Sequence, residues 1–162
     1  MVIKVSDKFP ESNLYLYKDG KMEKVITTKI FLDKKIVLFG MPGAFTPTCS
    51  NYHVPSITDQ MSDFKKKGVD KVFCLVVNDI HVTKLWAEKT GALESGLNFI
   101  TDPSGKLVKK LELSFNAPEI GFINRSKRFC IILNNLTVEK IFIEEERGIC
   151  NLTSGYNIFK QI

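Results

Sequence analysis

Apolar and polar positions alternate along the chain in patterns that predict most of the elements of an α/β protein. Leu14-Tyr15-Leu16-Tyr17, then Lys18-Asp19-Gly20, then Met22 to Thr27 form two strand-like runs around an Asp-Gly pair, which tolerates the positive φ a tight hairpin needs. Lys35-Ile36-Val37-Leu38-Phe39-Gly40 is continuously apolar, which suits a central strand covered on both faces. After the loop Met41 to Thr48, the spacing of Ile57, Met61 and Phe64 predicts a helix beginning near Cys49, with Pro55 bending or interrupting it early. Lys71 to Val77 is a second buried strand, and Ile80 to Thr90, carrying Leu85 and Trp86, a second helix. A turn at Asp102-Pro103-Ser104-Gly105 leads to a short helical segment through Leu107, Leu111 and Leu113, then to a less regular stretch. Arg128 to Leu133 and Thr137 to Ile143 read as a second hairpin with Asn134-Asn135 as its tight turn, and a last helix covers Ser154 to Ile162.

Strand, helix, strand at this spacing is a right-handed parallel crossover. Followed by an antiparallel hairpin and a final helix, it is the thioredoxin-like order: a central mixed sheet flanked by helices, with an N-terminal β-hairpin. No repeat, linker or low-complexity segment divides the chain. Its 162 residues read as one domain, long enough to bury roughly two thirds of the unfolded surface without metals or disulfides.

Composition narrows the class of function. At 44% hydrophobic and 25% charged residues the chain is ordinary for a soluble protein, and no apolar run approaches the ~20 residues of a membrane span. Met1 to Asp7 lacks the charged-then-apolar pattern of a secretory signal, which predicts a reducing compartment: the cytoplasm, or an organelle if a targeting segment has been removed. Lys160-Gln161-Ile162 does not match the peroxisomal tripeptide. The sequons at Asn124, Asn135 and Asn151 are then chance matches. Net charge is +5, but basic and acidic residues are interleaved, so neither nucleic acid nor membrane is an expected partner. Lys65-Lys66-Lys67 before Gly68 reads as a helix C-terminus. The four cysteines at 49, 74, 130 and 150 show no CxxC and no paired metal-ligand spacing, so they are thiols by default.

Chemistry concentrates in Pro42-Gly43-Ala44-Phe45-Thr46-Pro47-Thr48-Cys49, between a buried strand and a helix, where open α/β sheets place their sites. A cysteine in the first helical turn feels unpaired N–H groups and the positive end of the dipole, both of which favour thiolate. Bringing a thiol pKa from about 8.5 to about 6 takes roughly 3.4 kcal/mol, whereas the dipole supplies only ~0.3–2 kcal/mol. A nearby cation is therefore required. Arg125 and Arg128 are the candidates, since a guanidinium holds a thiolate and an incoming oxygen in one fixed fork and keeps its proton. Thr46 can set a hydroxyl beside the sulfur, Pro42 and Pro47 stiffen the loop and shield the thiolate, and Gly43 lets the backbone come close. The reaction that follows is displacement on a peroxide O–O bond, leaving a sulfenic acid on Cys49. His53, four residues after Cys49, could be half of a Cys-x-x-x-His metal site or a base for the sulfur; with only His81 elsewhere and no second ligand pair, zinc is not expected.

The run PGAFTPTCS from Pro42 to Ser50 contains the peroxiredoxin pattern P-x-x-x-T-x-x-C and resembles the type II, peroxiredoxin-five-like subfamily. Cys74-Leu75-Val76-Val77-Asn78-Asp79 is similar to that family's C-hydrophobic-S-V-N-D segment, with Val76 replacing a small polar residue, and Asn124 to Phe129 is similar to its R-S-x-R-F segment. The resemblance runs from about Ile3 to the final helix. It implies a thiol-dependent peroxidase for hydrogen peroxide and alkyl hydroperoxides, without metal or organic cofactor, on a thioredoxin-like fold that forms homodimers. Carried over residue by residue, it implies Cys49 as the peroxidatic sulfur, Arg128 as the guanidinium, Thr46 as the hydroxyl partner and Pro42 as the shield, with Gly43, Phe45 and His53 lining the site.

Two cysteines are candidates for resolving the sulfenic acid. Cys74 lies where plant type II members place a proposed resolving cysteine, yet it also lies in mid-strand, where a small buried residue is the default. Cys150 falls near the C-terminal resolving cysteine of animal members, shifted by about two residues so that Leu152 takes the aligned place. Cys130 reads as core strand. The working expectation is one-cysteine chemistry with an external thiol, glutathione with glutaredoxin or thioredoxin, ahead of a Cys49–Cys74 bridge. A redox sensor or chaperone-like binding protein using the same cysteine is the other class of function compatible with the motif.

Overall fold

The computed structural model describes residues 2–162. Asn13–Lys18 (β1) and Lys21–Ile26 (β2) pair as the expected hairpin, and Asp19 and Gly20 both take positive φ, 51° and 75°, in its turn. Thr27 opens a short helix, Thr27–Ile30 (α1), instead of extending the strand. Its hydroxyl donates to the Pro10 carbonyl and accepts from Ser12 N, a local pairing that competes with the sheet ladder.

Lys35–Gly40 (β3) and Lys71–Val76 (β4) pair in parallel, and β4 pairs in parallel with Asn98–Thr101 (β5), so two crossovers follow one another. The four residues of β5 are too short a run to stand out from a loop in the sequence. Phe129–Asn134 (β8) lies antiparallel to β3 and pairs with Thr137–Ile143 (β9). The sheet order is β2-β1-β5-β4-β3-β8-β9, with the N-terminal hairpin joined to β5 through Tyr15 and Thr101. The stretch that reads as irregular holds a separate ribbon, Ser114–Ala117 (β6) with Phe122–Ser126 (β7). The β8–β9 turn is centred on Asn135 and Leu136, at φ 43° and 64°, and not on Asn134-Asn135 as expected, because Asn134 still pairs with Thr137. Asn135 Oδ1 accepts from Asp33 N, and Leu136 packs on the core, so tertiary contacts hold a leucine in the left-handed region.

Helical backbone starts at Pro47, widens into a π turn over Cys49–His53 closed by Val54 N on the Cys49 carbonyl, and continues as Val54–Thr58 (α2). Pro55 is the second residue of α2 and does not break the run. The wide turn before it leaves room for a ring and needs no N–H there. The break falls at Asp59-Gln60, before Met61–Lys66 (α3). Ile80–Thr90 (α4), capped by Asp79, Lys106–Lys110 (α5) and Gly155–Gln161 (α6), capped by Ser154, complete the helices. Lys67 is not simply solvated: its ammonium donates to the carbonyls of Phe159 and Ile162 and sits 4.1 Å above the Phe159 ring.

Strand alternation divides the core in two. Val37, Phe39, Cys74, Val76, Cys130 and Ile132 face α2, α3, α4 and α6, while Ile36, Leu38, Phe73, Leu75, Ile131 and Leu133 face Phe9, Phe31 and α5. Both faces of β3 are thus covered, as its unbroken apolar run predicts. Among the described residues no helix is long and apolar enough to cross a membrane.

Candidate active site

The C-terminal end of β3 meets the start of β8 at Gly40 and Phe129. A Cβ on Gly40 would come within 2.1 Å of the Phe129 ring, so glycine is what lets these two strands close together. Arg128, immediately before β8, therefore projects beside the loop that leaves β3. That loop is tied from three sides. Met41 N donates to the Leu75 carbonyl, Ala44 N to Asn78 Oδ1, and Arg125 Nη1 to the Pro42 carbonyl and Asn78 Oδ1. A Cβ on Gly43 would lie 2.5 Å from Arg125 Nη1, which is the close approach the sequence assigns to this glycine. Phe45 takes φ 61° and points outward, 53% exposed. The Thr46 hydroxyl donates to the Gly43 carbonyl at 2.8 Å, leaving its lone pairs as acceptors, and the Thr46 carbonyl accepts from Ser50 N to start the helical run.

Cys49 lies at the head of the π turn with no exposed surface. Arg128, also buried, directs Nη2 at Cys49 Sγ, 3.4 Å away, and at the Arg147 carbonyl, 3.1 Å away. Nη1 donates to His53 Nδ1 at 2.9 Å. His53 Nε2 stands 2.9 Å from the Thr153 carbonyl, which can only accept, so the imidazole carries its proton on Nε2 and offers Nδ1 to the guanidinium. Burial, then the charge of Arg128, pull His53 down from 6.5 to about 3, against the opposing bond to Thr153. The ring stands edge-on to Phe39, centroids 5.5 Å apart. Arg128 Nε is buried and has no acceptor among the described residues. Trp86 Nε1 donates to Ser50 Oγ at 2.9 Å, bracing the turn from α4.

The other cysteines are separated from this arrangement. Cys74 and Cys130 flank Phe39 in register, one on β4 and one on β8, and all three side chains belong to the same core layer beneath the turn. The Cys74 thiol donates to Met41 Sδ at 3.7 Å. Burial pushes it well above the ordinary thiol range, with the Cys49 sulfur adding to the rise and Arg128 opposing it. Burial does the same to Cys130. Cys150, on the segment between β9 and α6, has Thr153 Oγ1 3.8 Å from its sulfur and is pushed up to about 11, chiefly by burial.

The structure thus gathers Pro42, Gly43, Thr46, Cys49, His53 and Arg128 at one end of the sheet, places Phe45 at the rim, and leaves Cys74 below. Asn78, which pins both the loop and Arg125, does not stand out in the sequence as a site residue. Its place between the end of a buried strand and the Asp79 helix cap is the signal that marks it. The carbonyls of Arg147 and Thr153 carry no sequence signal at all, since backbone acceptors are independent of residue type.

A redoxin family model matches residues 4–156. The chain is 41% identical to peroxiredoxin-2C of rice over 145 residues, 88% of each chain, and 35% identical to peroxiredoxin-2D of Arabidopsis thaliana over 99% of this chain and 98% of that one. A crystal structure of reduced Prx3 from Vibrio vulnificus in complex with hydrogen peroxide superposes with a TM-score of 0.92, at 29% identity over 99% of each chain. With the buried sulfur and its guanidinium at the end of a thioredoxin-like sheet, these similarities establish that the chain belongs to the peroxiredoxin family of thiol-dependent peroxidases.

Proposed function

We propose that Cys49 is the peroxidatic sulfur, acting on hydrogen peroxide and small alkyl hydroperoxides. The observation that carries the assignment is the environment of Arg128. A buried guanidinium is costly without a counter-charge, and its acceptors are the neutral His53 Nδ1 and Arg147 carbonyl together with Cys49 Sγ. The sulfur is the one group of the three that can supply an anion, and it is the thiolate form that reacts as a nucleophile.

In the proposed step the thiolate attacks one peroxide oxygen in line with the O–O bond. An S–O bond forms, the O–O bond breaks, and water or an alcohol leaves after the departing oxygen takes a proton; Cys49 becomes a sulfenic acid. In this reading Arg128 Nε, buried without an acceptor among the described residues, and Nη2, beside the sulfur, donate to the incoming oxygens, and the Thr46 hydroxyl, its hydrogen committed to Gly43, accepts a hydrogen bond from the peroxide. Pro42 and Phe45 shield the approach. Two equivalents of an external thiol, glutathione with glutaredoxin or thioredoxin, then return the thiol and release water and a disulfide. Cys74, whose thiol points to Met41, and Cys150, set in a tied segment, leave one-cysteine turnover the better-supported route. Phe45 and Tyr52, close in sequence to Cys49, and Ile149 and Leu152, on the segment whose carbonyls bind Arg128 and His53, are exposed apolar side chains that a homodimer would cover. A reducing compartment such as the cytoplasm suits the four free thiols.

The test is consumption of hydrogen peroxide and tert-butyl hydroperoxide by wild type and Cys49→Ser, with dithiothreitol, thioredoxin, or glutathione plus glutaredoxin. Turnover confined to the wild type supports Cys49, and the productive reductant names the recycling route. Equal behaviour of the two proteins removes Cys49 as nucleophile.

A further inference from the structure

Three carbonyls of the segment after β9, residues 144–154, accept from side chains around Cys49. The Arg147 carbonyl takes Arg128 Nη2, the Gly148 carbonyl takes Thr48 Oγ1, and the Thr153 carbonyl takes His53 Nε2. Residues 145–149 are exposed, so apolar packing does not fix that stretch. What closes the segment is Glu144. Its carboxylate is nearly buried, and Oε1 accepts from Asn151 N at 2.7 Å, Thr153 N at 2.9 Å and Thr153 Oγ1 at 3.0 Å. Its backbone N donates to the Arg128 carbonyl at 3.0 Å. No described lysine, arginine or histidine forms a salt bridge with this carboxylate. These donors therefore carry the burden of keeping a charge out of water, and the segment is drawn around it.

We propose that Glu144 is a positioning residue for the peroxidase: by closing residues 144–154 it sets the Arg147 carbonyl that receives Arg128 Nη2 and the Thr153 carbonyl that orients His53 behind Nη1, and so aims the guanidinium at Cys49. The proposal rests on Arg128 acting on the Cys49 sulfur. The connection runs through three hydrogen bonds on one side and through the backbone plus one hydrogen bond on the other. On one side Glu144 fixes Thr153, and the Thr153 carbonyl fixes the His53 tautomer that receives Nη1. On the other it sets the course of the chain through Arg147, whose carbonyl receives Nη2. Without the carboxylate, the guanidinium keeps its charge but loses its orientation. That costs rate far more than fold, because productive geometry tolerates only small displacements.

The experiment compares Glu144→Ala, Glu144→Gln and a control, Thr27→Val, which removes buried hydrogen bonds in the N-terminal segment remote from the site. Three readouts are taken on the reduced protein: the stopped-flow rate with hydrogen peroxide, the pH profile of alkylation by iodoacetamide, and the thermal midpoint. Glu144→Ala is expected to slow the peroxide reaction by about tenfold or more, equivalent to ~1.4 kcal/mol of transition-state stabilisation, and to move the alkylation profile to higher pH. Glu144→Gln, whose amide oxygen accepts the same donors, is expected to stay within about threefold of wild type. Thr27→Val is expected to lower the midpoint and leave both reactivity readouts unchanged. If Glu144→Ala loses thermal stability as Thr27→Val does but reacts as wild type, the role is structural and the proposal fails. Should Glu144→Ala not fold, Glu144→Asp, one methylene shorter, carries the same comparison, and wild-type rates in that variant overturn it. Arg128→Gln separates the two levels. If it reacts as wild type, the reading of Arg128 fails and takes Glu144 with it; if it is slow while Glu144→Ala is not, Glu144 alone is wrong.

Discussion

His53 and Arg128 form a donor–acceptor pair in which the imidazole is held neutral: Nη1 donates to Nδ1 at 2.9 Å, and protonating Nδ1 would set two cations against each other in a buried site. A histidine kept near 3 in the native state, against 6.5 in the unfolded chain, makes stability depend on pH. Between those values the unfolded chain binds a proton that the native state refuses. The contribution is therefore complete above about pH 6.5 and is lost as pH falls towards 3, at up to ~1.4 kcal/mol per unit. Urea unfolding at pH 7 and pH 5 should show wild type losing about 2 kcal/mol more than His53→Gln over that interval. Equal losses would mean that the ring is protonated in the native state and the pair is differently arranged.

Cys74 bears on the recycling route. Its thiol lies in mid-strand with no exposed surface, hydrogen-bonded to Met41, and burial holds it as the neutral, unreactive form. Cys74→Ala should keep at least about half of the wild-type turnover with dithiothreitol, while costing about 1 kcal/mol of stability for the atom removed from the core. Mass spectrometry after one equivalent of peroxide should find Cys49 oxidised and Cys74 as free thiol. An internal Cys49–Cys74 disulfide, or collapse of turnover in the variant, would reverse the preference for one-cysteine chemistry.

The sequence made the site legible to an uneven degree, for physical reasons. Cys49 and Arg128 could be read because each carries chemistry that its residue type advertises. The central strands could be read because burial on both faces leaves an unbroken apolar run. The four-residue β5 and the β6–β7 ribbon escaped because short half-buried strands have too few residues to show a period. The turn at Asn135-Leu136 escaped because a tertiary hydrogen bond from Asp33, not local propensity, selects its register. Backbone acceptors such as the Arg147 and Thr153 carbonyls are invisible in principle, since every residue has one.

Two glycines should separate close packing from backbone freedom. A Cβ at Gly155 would stand 2.1 Å from the Ser56 carbonyl oxygen, and backbone cannot turn aside as a side chain does. Gly155→Ala should therefore force α6 away from α2 at a cost of about 3 kcal/mol. Gly68, at φ +81°, has open space around it, and Gly68→Ala should lose only about 1 kcal/mol, the cost of a left-handed alanine. Denaturant midpoints that rank the two in the opposite order would show that α6 is free to shift.

Trp86 offers a reporter of the π turn that carries Cys49. It is the chain's single tryptophan, its indole N–H donates to Ser50 Oγ in the residue after Cys49, and its ring stands edge-on to Phe99 at 5.4 Å. A sulfur with no exposed surface has to become accessible to meet an external thiol, and loosening of the π turn, which would expose it, pulls directly on the indole bond. One equivalent of hydrogen peroxide should change tryptophan emission at the rate of sulfenic acid formation in wild type and produce no change in Cys49→Ser. Ser50→Ala should keep most of the peroxide reactivity while losing most of the amplitude, because the tie between indole and turn is gone. Constant emission in a wild-type sample whose oxidation is confirmed by mass would mean that the turn holds its shape, and that the reductant reaches the sulfur by displacing the rim around Phe45 instead.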